Sequence, residues 1–306
     1  VDSQWYYLFK WRTLMEREFR IMFVDIGFHQ VRYKILGHTD GEYKDTGPFP
    51  TLLAKVQGHY WGGGSGINQW MVGEIPMFCA SYLKFKRNFW EENEGQPQAL
   101  DIGVFVASIF RNRFQRKRIN SRQHPLVLAI PYYVDNATRE AIYNELFAQW
   151  EATLYWWEEK FWEPVCSPYV RIIDRELLNL YSVGLHTGIS IIIDGFLTTV
   201  TAYRDSKPIV EASFSLNSFT LENPECLIHA ITSVTELWDI CFEVKPSIVL
   251  AFPRGNGEPS EVLIKKIEDL LQGFTIVESN RSLVNLQQGA TLWSSIDLDG
   301  PFNHPW

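Results

Sequence analysis

The 306-residue chain is 46% apolar and 15% aromatic, and its formal net charge at pH 7 is −8. This composition is typical of a chain with a large buried core, and it excludes wholesale disorder and fibrous structure. The negative charge argues against a general or sequence-specific nucleic-acid binder, whose phosphate contacts need an excess of Lys and Arg. No apolar run reaches the roughly 18 residues of a membrane-spanning helix.

The first elements in chain order are predicted to be a helix and a β-hairpin. Residues 1–20 mix aromatic and apolar side chains with Arg, Lys and Glu, which indicates an N-terminal helical extension. From residue 23 the period changes. A buried strand at 23–27 leads through a short turn into an alternating strand at 31–37, as in an antiparallel pair.

Further strands and helices alternate up to the middle of the chain. They are a strand, a Gly-rich stretch, a helix, a strand and a helix, at 51–56, 57–66, 99–120, 126–131 and 137–157. Asn136 is predicted to cap the last helix, because an Asn side chain accepts hydrogen bonds from the free amides of a first turn.

The same order of elements then begins again. A helix at 175–181 precedes a strand at 188–193 that ends in Asp194-Gly195. The remaining elements are two strands, a helix, a strand and a helix, at 198–203, 208–216, 225–241, 247–251 and 260–271. A strand–Asp–Gly–strand unit therefore occurs twice, which implies two similar α/β lobes that face each other across a cleft.

The four cysteines lie far apart and form no Cys-x-x-Cys pair, so we expect no metal site of the zinc type. Isolated thiols fit a reducing compartment. We therefore expect an intracellular protein, cytoplasmic or cytoskeletal, with an organellar or nuclear complex as the alternative. Because the chain starts at Val1 rather than Met, we leave open whether an upstream targeting segment was removed.

Several short runs match one family in order and at compatible spacing. Besides the two hairpins, they are found at 47–53, 70–74, 124–128, 136–140, 180–189 and 289–296. With these runs the chain resembles actin and the actin-related proteins over residues 23–296. The resemblance implies the two-lobed α/β fold of the actin, Hsp70 and sugar-kinase superfamily, with duplicated β-sheet cores.

The resemblance also implies a domain organisation. Residues 21–173 plus 289–306 would form the first lobe, and residues 174–288 would form a reduced second lobe. Residues 57–69 correspond to the DNase-binding loop of actin. Only about ten residues replace the subdomain that actin inserts after the strand at 208–216, so subdomain 4 is expected to be largely deleted.

In the family, the two hairpin turns bind the phosphates of ATP. The residues that match this site, as a vestigial nucleotide site, are Asp25, Gly27, Arg32, Asp194 and Gly195. Phe28 and His29 replace the small residues of the first loop, and the second loop lacks its first acid. Asp25 and Asp194 could instead hold a cation between them, or only cap local turns.

Arg175 occupies the position of the glutamine that orients the attacking water in the family. A guanidinium group cannot accept a hydrogen bond from water, so it cannot take that role. The adenine-side turn is also replaced, by residues 252–255. We therefore expect no catalytic residues, no ATPase activity, no metal and no bound cofactor, with ATP and Mg²⁺ as the less favoured alternative.

Three segments are predicted to bind partners. Aromatic side chains beside flexible glycines in the loop 57–69, and a Pro-rich aromatic tail, suit contacts that order on a neighbouring protein. Residues 111–122 carry six positive charges, which suit an acidic partner, anionic lipid head groups or a solvated helix end. The candidate residues are His59, Tyr60, Trp61, Arg113, Arg116, Lys117, Arg118, Phe302 and Trp306.

Three functions follow from this reading. The first is a non-catalytic actin-related scaffold subunit of a larger multiprotein complex, whose partners are other protein subunits. The second is a divergent filament-forming protein that still binds ATP. The third is a sugar-kinase-like phosphotransferase, which would need a carboxylate base and an intact phosphate loop.

Overall fold

The computed structural model describes residues 21–28, 30–36, 49–56, 70–72, 83–88, 90, 96–109, 126–147, 151–152, 161–162, 170–194, 197–217, 224–241, 245–252, 261–272, 274–277, 286 and 289–290. It has a mixed α/β fold. No helix within this part of the chain is both long and apolar enough to cross a bilayer.

In chain order the described strands are β1 (Ile21–Ile26), β2 (Gln30–Leu36), β3 (Phe49–Pro50), β4 (Leu52–Val56), β5 (Trp70–Val72), β6 (Leu83–Asn88), β7 (Leu126–Ile130), β8 (Glu151–Ala152), β9 (Phe161–Trp162), β10 (Val170–Asp174), β11 (Gly188–Asp194), β12 (Leu197–Arg204), β13 (Lys207–Asn217), β14 (Ser247–Ala251) and β15 (Thr275–Ile276). The described helices are α1 (Ala99–Ile109), α2 (Asn136–Phe147), α3 (Arg175–Tyr181), α4 (Pro224–Cys241) and α5 (Glu261–Leu270).

The two large sheets of the described chain share one strand order. The first sheet runs β3-β2-β1-β7-β10 and the second runs β13-β12-β11-β14-β15. In each sheet, the first three strands of this order pair antiparallel, and the third, fourth and fifth strands pair parallel. The repeated strand–Asp–Gly–strand pattern of the sequence is thus present as one hairpin at the centre of each sheet.

Three apolar clusters of described residues lie between the layers of the fold. One covers the outer face of the first sheet with α1 and α2, and another covers the outer face of the second sheet with α4 and α5. The third, the central cluster, lies between the inner faces of both sheets and contains Phe23, Leu178 and Val249. Helix α3 is therefore the layer between the sheets, and most of its residues are buried.

The predicted strand at 51–56 is confirmed as Leu52–Val56, but it does not belong to the first sheet. Phe49–Pro50 pairs with β2, whereas Leu52–Val56 belongs to a separate three-stranded sheet with β5 and β6. Thr51 is the residue between these two strands, and its hydroxyl donates to the carbonyl oxygen of Phe28 at 2.6 Å. Pro50 also lacks the N–H that would continue the ladder.

The predicted helix at 137–157 is wrong in its cap and in its length. The side chain of Asp135, rather than Asn136, accepts the N–H of Thr138 at 2.7 Å. The helix ends at Phe147, and Glu151–Ala152 pairs with Phe161–Trp162 in a short antiparallel ladder that excludes helix there.

Other predicted elements are confirmed or lie outside the described residues. The helix at 175–181 and the strand at 247–251 have the predicted bounds, and most elements of the second half agree within two residues. The helix at 99–120 is described as far as Ile109. The extension 1–20 and the segment 57–69 lie outside the described residues, and the boundaries of the two lobes stay a prediction.

The Asp135 cap gives a direct test of the start of α2. We expect Asp135→Ala to lower the free energy of unfolding by about 1 kcal/mol, because the Thr138 N–H loses its acceptor. Asn136→Ala is the matched control and should change the free energy of unfolding by under ~0.5 kcal/mol. Urea unfolding measures both, and a larger loss for Asn136→Ala would contradict this assignment.

Candidate functional site

The two central hairpins bring one aspartate each to the space between the sheets. Asp25 lies near the end of β1 and Asp194 is the last residue of β11. Successive side chains of a strand point to opposite faces, so Asp25 shares the inner face with Phe23, and Asp194 shares it with Ile192. Both acids are buried, with 0% and 4% of their surface exposed.

Arg175 lies between the two aspartates. Its Nε donates to Oδ1 of Asp25 at 2.6 Å, and its Nη1 donates to Oδ2 of Asp194 at 2.7 Å. A longer contact of 3.4 Å joins Nη2 to the second oxygen of Asp25. We call these three residues the Asp–Arg–Asp triad. Because Arg175 is the first residue of α3, the triad joins both sheets to the helix between them.

The turn of the first hairpin also contacts the second sheet directly. The backbone N–H of Phe28 donates to Oδ2 of Asp194 at 3.0 Å, and the N–H of Gly27 closes the turn on the carbonyl of Gln30 at 2.9 Å. Gly27 is required here, because a Cβ atom would overlap the Asp194 carboxylate and lie 3.0 Å from Nη2 of Arg175.

A second arginine balances the charge of the site. Nη1 of Arg32 lies 3.9 Å from Oδ2 of Asp25, and its Nη2 donates to the side chain of Gln30 at 3.1 Å. With both carboxyl groups ionised, the two aspartates and two arginines sum to zero. The site therefore presents no net charge that would attract a metal ion or a phosphate.

Burial and pairing act in opposite directions on these groups. Burial raises the pKa of Asp25, and the nearby Arg175 and Arg32 offset only part of that rise. Burial alone would lower the pKa of Arg175, but the attraction of Asp25 and Asp194 outweighs burial and raises this pKa above its usual value. Arg175 therefore stays protonated, and it has no lone pair with which to act as a base.

Aromatic side chains hold the turn from the other side. The indole N–H of Trp90 donates to the carbonyl of Gly27 at 2.7 Å, and Trp90 is 1% exposed. The Phe28 ring stacks on the Trp90 indole with 6.4 Å between the ring centroids, and the Tyr133 ring packs against the same indole with 6.1 Å between the centroids. The Phe28 ring thus packs on the outer side of the first sheet, and Arg175 is the group that lies between the two acids.

A second polar cluster crosses between the sheets near the triad. The carboxylate of Asp174 accepts two hydrogen bonds. One comes from Nη2 of Arg139 at 2.6 Å, and the other comes from the hydroxyl of Tyr203, on the second sheet, at 3.1 Å. Oε2 of Glu176 accepts the backbone N–H of Tyr132 at 2.9 Å. Burial, with a smaller contribution from Asp174, raises the pKa of Glu176 to about 7.

A pKa near 7 is a property of general bases, and Glu176 is the described residue that has it. Its geometry does not suit that role. Glu176 is only 1% exposed, and its carboxyl group already accepts a backbone amide. We interpret it as a buried structural acid, for which the charge of Arg175 lowers the pKa less than burial raises it.

Four of the five residues predicted for the vestigial site come together. They are Asp25, Gly27, Arg32 and Asp194, whereas Gly195 lies outside the described residues. His29 of the first loop lies outside the described residues. So do the candidate partner-binding residues, which are His59, Tyr60, Trp61, Arg113, Arg116, Lys117, Arg118, Phe302 and Trp306.

Sequence reasoning missed part of the site. It treated Arg175 only as a lost water-orienting residue, and it did not single out Trp90, Tyr203 or Glu176. One signal was available, because Asp174, Arg175 and Glu176 are three consecutive ionisable residues between a buried strand and the apolar part of a helix. Ionisable side chains at such a place need partners inside the fold.

Comparison with known proteins adds no family to these observations. No protein-family model matches the chain, and no curated protein sequence matches it either.

The triad predicts a strong preference for arginine at position 175. Arg175→Lys keeps the charge, but a single ammonium group cannot donate to both carboxylates in the same planar arrangement. We expect a loss of about 1.5–3 kcal/mol in the free energy of unfolding, the value of a hydrogen bond to a charged group. Arg204→Lys, at an exposed pair with Asp205, should change it by under ~0.5 kcal/mol. Equal effects of both variants would contradict the triad.

Glu176 predicts how stability depends on pH. The native state holds the Glu176 proton more tightly than the unfolded chain does, because its pKa rises from 4.5 to about 7. Its contribution is therefore fully present below pH 4.5 and is lost as the pH rises toward 7, by about 3 kcal/mol at most.

We expect Glu176→Gln to remove that part of the pH dependence, since Gln keeps the acceptor for Tyr132 but does not ionise. The free energy of unfolding is measured at intervals from pH 4 to pH 8. Glu140→Gln, at an exposed site on α2, is the control and should leave the profile unchanged. A Glu176→Gln profile identical to that of the original chain would refute this reading.

Proposed function

We propose that this chain is an actin-like protein in which an internal ion pair replaces the bound nucleotide, and that it serves as a non-catalytic structural subunit of a multiprotein complex. The shared strand order of the two sheets supports the fold part of this proposal, because it is the duplicated arrangement that the resemblance to actin implies. The observation that carries the functional part is the position of the Arg175 guanidinium between Asp25 and Asp194.

The backbone donors of the hairpin support the same conclusion. A phosphate site needs free N–H groups that point at the anion. Here the N–H of Gly27 is bonded to Gln30 within its own turn, and the N–H of Phe28 is bonded to Asp194. A triphosphate would have to displace a carboxylate from one of these donors and then lie beside that carboxylate.

The energetics of the triad oppose such a displacement. Among the described residues, moving Arg175 away would leave two buried carboxylates with only the more distant Arg32 to compensate them. Breaking one partner from a buried ion pair costs about 3–5 kcal/mol. Nucleotide binding would therefore have to supply that free energy before it gained any affinity.

A role in assembly follows from a closed arrangement that needs no ligand. Two sheets that are held together by side chains of the chain itself can present partner surfaces in a constant relative position. The aromatic and basic segments outside the described residues are our candidates for those surfaces, and the partners we expect are other protein subunits. The chain carries 12 Trp, which suits such contacts.

The nucleotide part of the proposal predicts a protein that is indifferent to ATP. We expect no measurable rise in the unfolding temperature with millimolar MgATP and no release of phosphate, with actin as the positive control. A ligand present at about 100 times its Kd would stabilise the fold by about 2.7 kcal/mol. A shift of several degrees, or pelleting of filaments on addition of MgATP, would favour the filament-forming alternative.

The scaffold part is tested by co-purification under gentle conditions. We expect the chain to elute in a complex of defined stoichiometry with other subunits. Combined Ala substitution of Tyr60 and Trp61, or of Arg116, Lys117 and Arg118, should remove partners without changing the unfolding temperature. Elution of the original chain as a monomer from its native source would refute the scaffold role.

A further inference from the structure

We infer that Asp25 and Asp194 form a binding site for a guanidinium-type cation, and that the side chain of Arg175 fills it permanently as a built-in ligand. This inference deepens the proposed function. It rests on that proposal, because it assumes that no nucleotide binds in the space between the hairpins. It assigns to that space a ligand class, a planar guanidinium, that the chain itself supplies.

The arrangement of donors and acceptors selects this class of cation. One edge of the guanidinium, Nε and Nη2, faces both oxygens of Asp25, and Nη1 faces Asp194 on the other side. A planar group with donors on two edges can therefore bridge two carboxylates that approach from different sheets. An ammonium ion lacks this planar two-edged fork.

A metal ion fits the site less well. Calcium and magnesium need six or more oxygen ligands at about 2.0–2.6 Å. Within the described part of the chain, no group of three or more His, Cys, Asp or Glu side chains is placed to hold a metal ion. The two aspartates alone would leave most of the coordination shell to water, in a place where both carboxyl groups are buried.

Removal of Arg175 would leave the site with an excess of negative charge. In the part of the chain that the structure describes, the two carboxylates would then face only Arg32, and the ion pair between Arg32 and Asp25 spans 3.9 Å. Shortening Arg175 thus leaves a cavity beside an uncompensated negative charge.

The test is chemical rescue of the Arg175→Ala variant with methylguanidinium at concentrations below those that denature proteins. We expect this variant to unfold at a markedly lower temperature than the original chain. Methylguanidinium should restore much of the loss, with the folding equilibrium constant rising about tenfold at about ten times its Kd. The backbone N–H of Phe28 should regain its protection from hydrogen exchange, since Asp194 is its acceptor.

Three controls separate a specific site from a general effect. The original chain, whose site is full, should gain nothing from methylguanidinium. Leu178→Ala, which opens a cavity in the central cluster without exposing the acids, should gain nothing either. Arg175→Ala combined with Asp194→Asn should lose the rescue, because one of the two carboxylates is gone.

If Arg175→Ala does not fold alone, the readout is the yield of folded protein after refolding with each additive. A gain with methylguanidinium but not with tetramethylammonium or MgCl₂ supports the inference. No gain with any additive, an equal gain with tetramethylammonium, or a larger gain with MgCl₂ overturns it. None of these outcomes depends on whether the original chain binds MgATP, so the two proposals fail separately.

Discussion

The packing of the two sheets depends on one buried cation. Asp25 and Asp194 lie on the central strands of the two sheets and face the space between them, and each would be costly to bury alone. Arg175 makes that burial possible, because its guanidinium donates to both. The same side chain belongs to α3, the helix that fills the layer between the sheets. Charge pairing and apolar packing therefore require the same arrangement.

Neighbouring groups are arranged around this pairing. The backbone at Gly27 comes so close to the triad that a side chain there would collide with it, and the next N–H in the turn is donated to Asp194. Trp90 holds the turn from the outer side. The Asp174–Tyr203 hydrogen bond supplies a second polar connection between the sheets. Buried ion pairs contribute little net stability, and we interpret this network as one that favours a single relative position of the two sheets.

That single position is what links the site to the proposed function. In a protein whose two halves close around a ligand, the ligand supplies the differential binding free energy that shifts the equilibrium between open and closed states. Here the charges that would attract such a ligand are already neutralised by Arg175 and Arg32. Under our proposal, such a chain keeps a constant shape without a small-molecule ligand, as a structural part of an assembly would require.

The sequence by itself determined the repeated hairpins, the positions of the two aspartates at their strand ends, and most elements of the second half. These features are local, because strand periodicity and turn chemistry act over a few neighbouring residues. The choice of Asp135 over Asn136 as the cap of α2 is local, since both residue types suit a cap and lie next to each other in the chain. The tertiary structure alone decided that Arg175 lies between acids that are 150 and 19 residues away from it in the chain. It also decided that Phe49–Pro50 completes the first sheet. The packing of two sheets around one helix chooses such partners, and no local pattern records that choice.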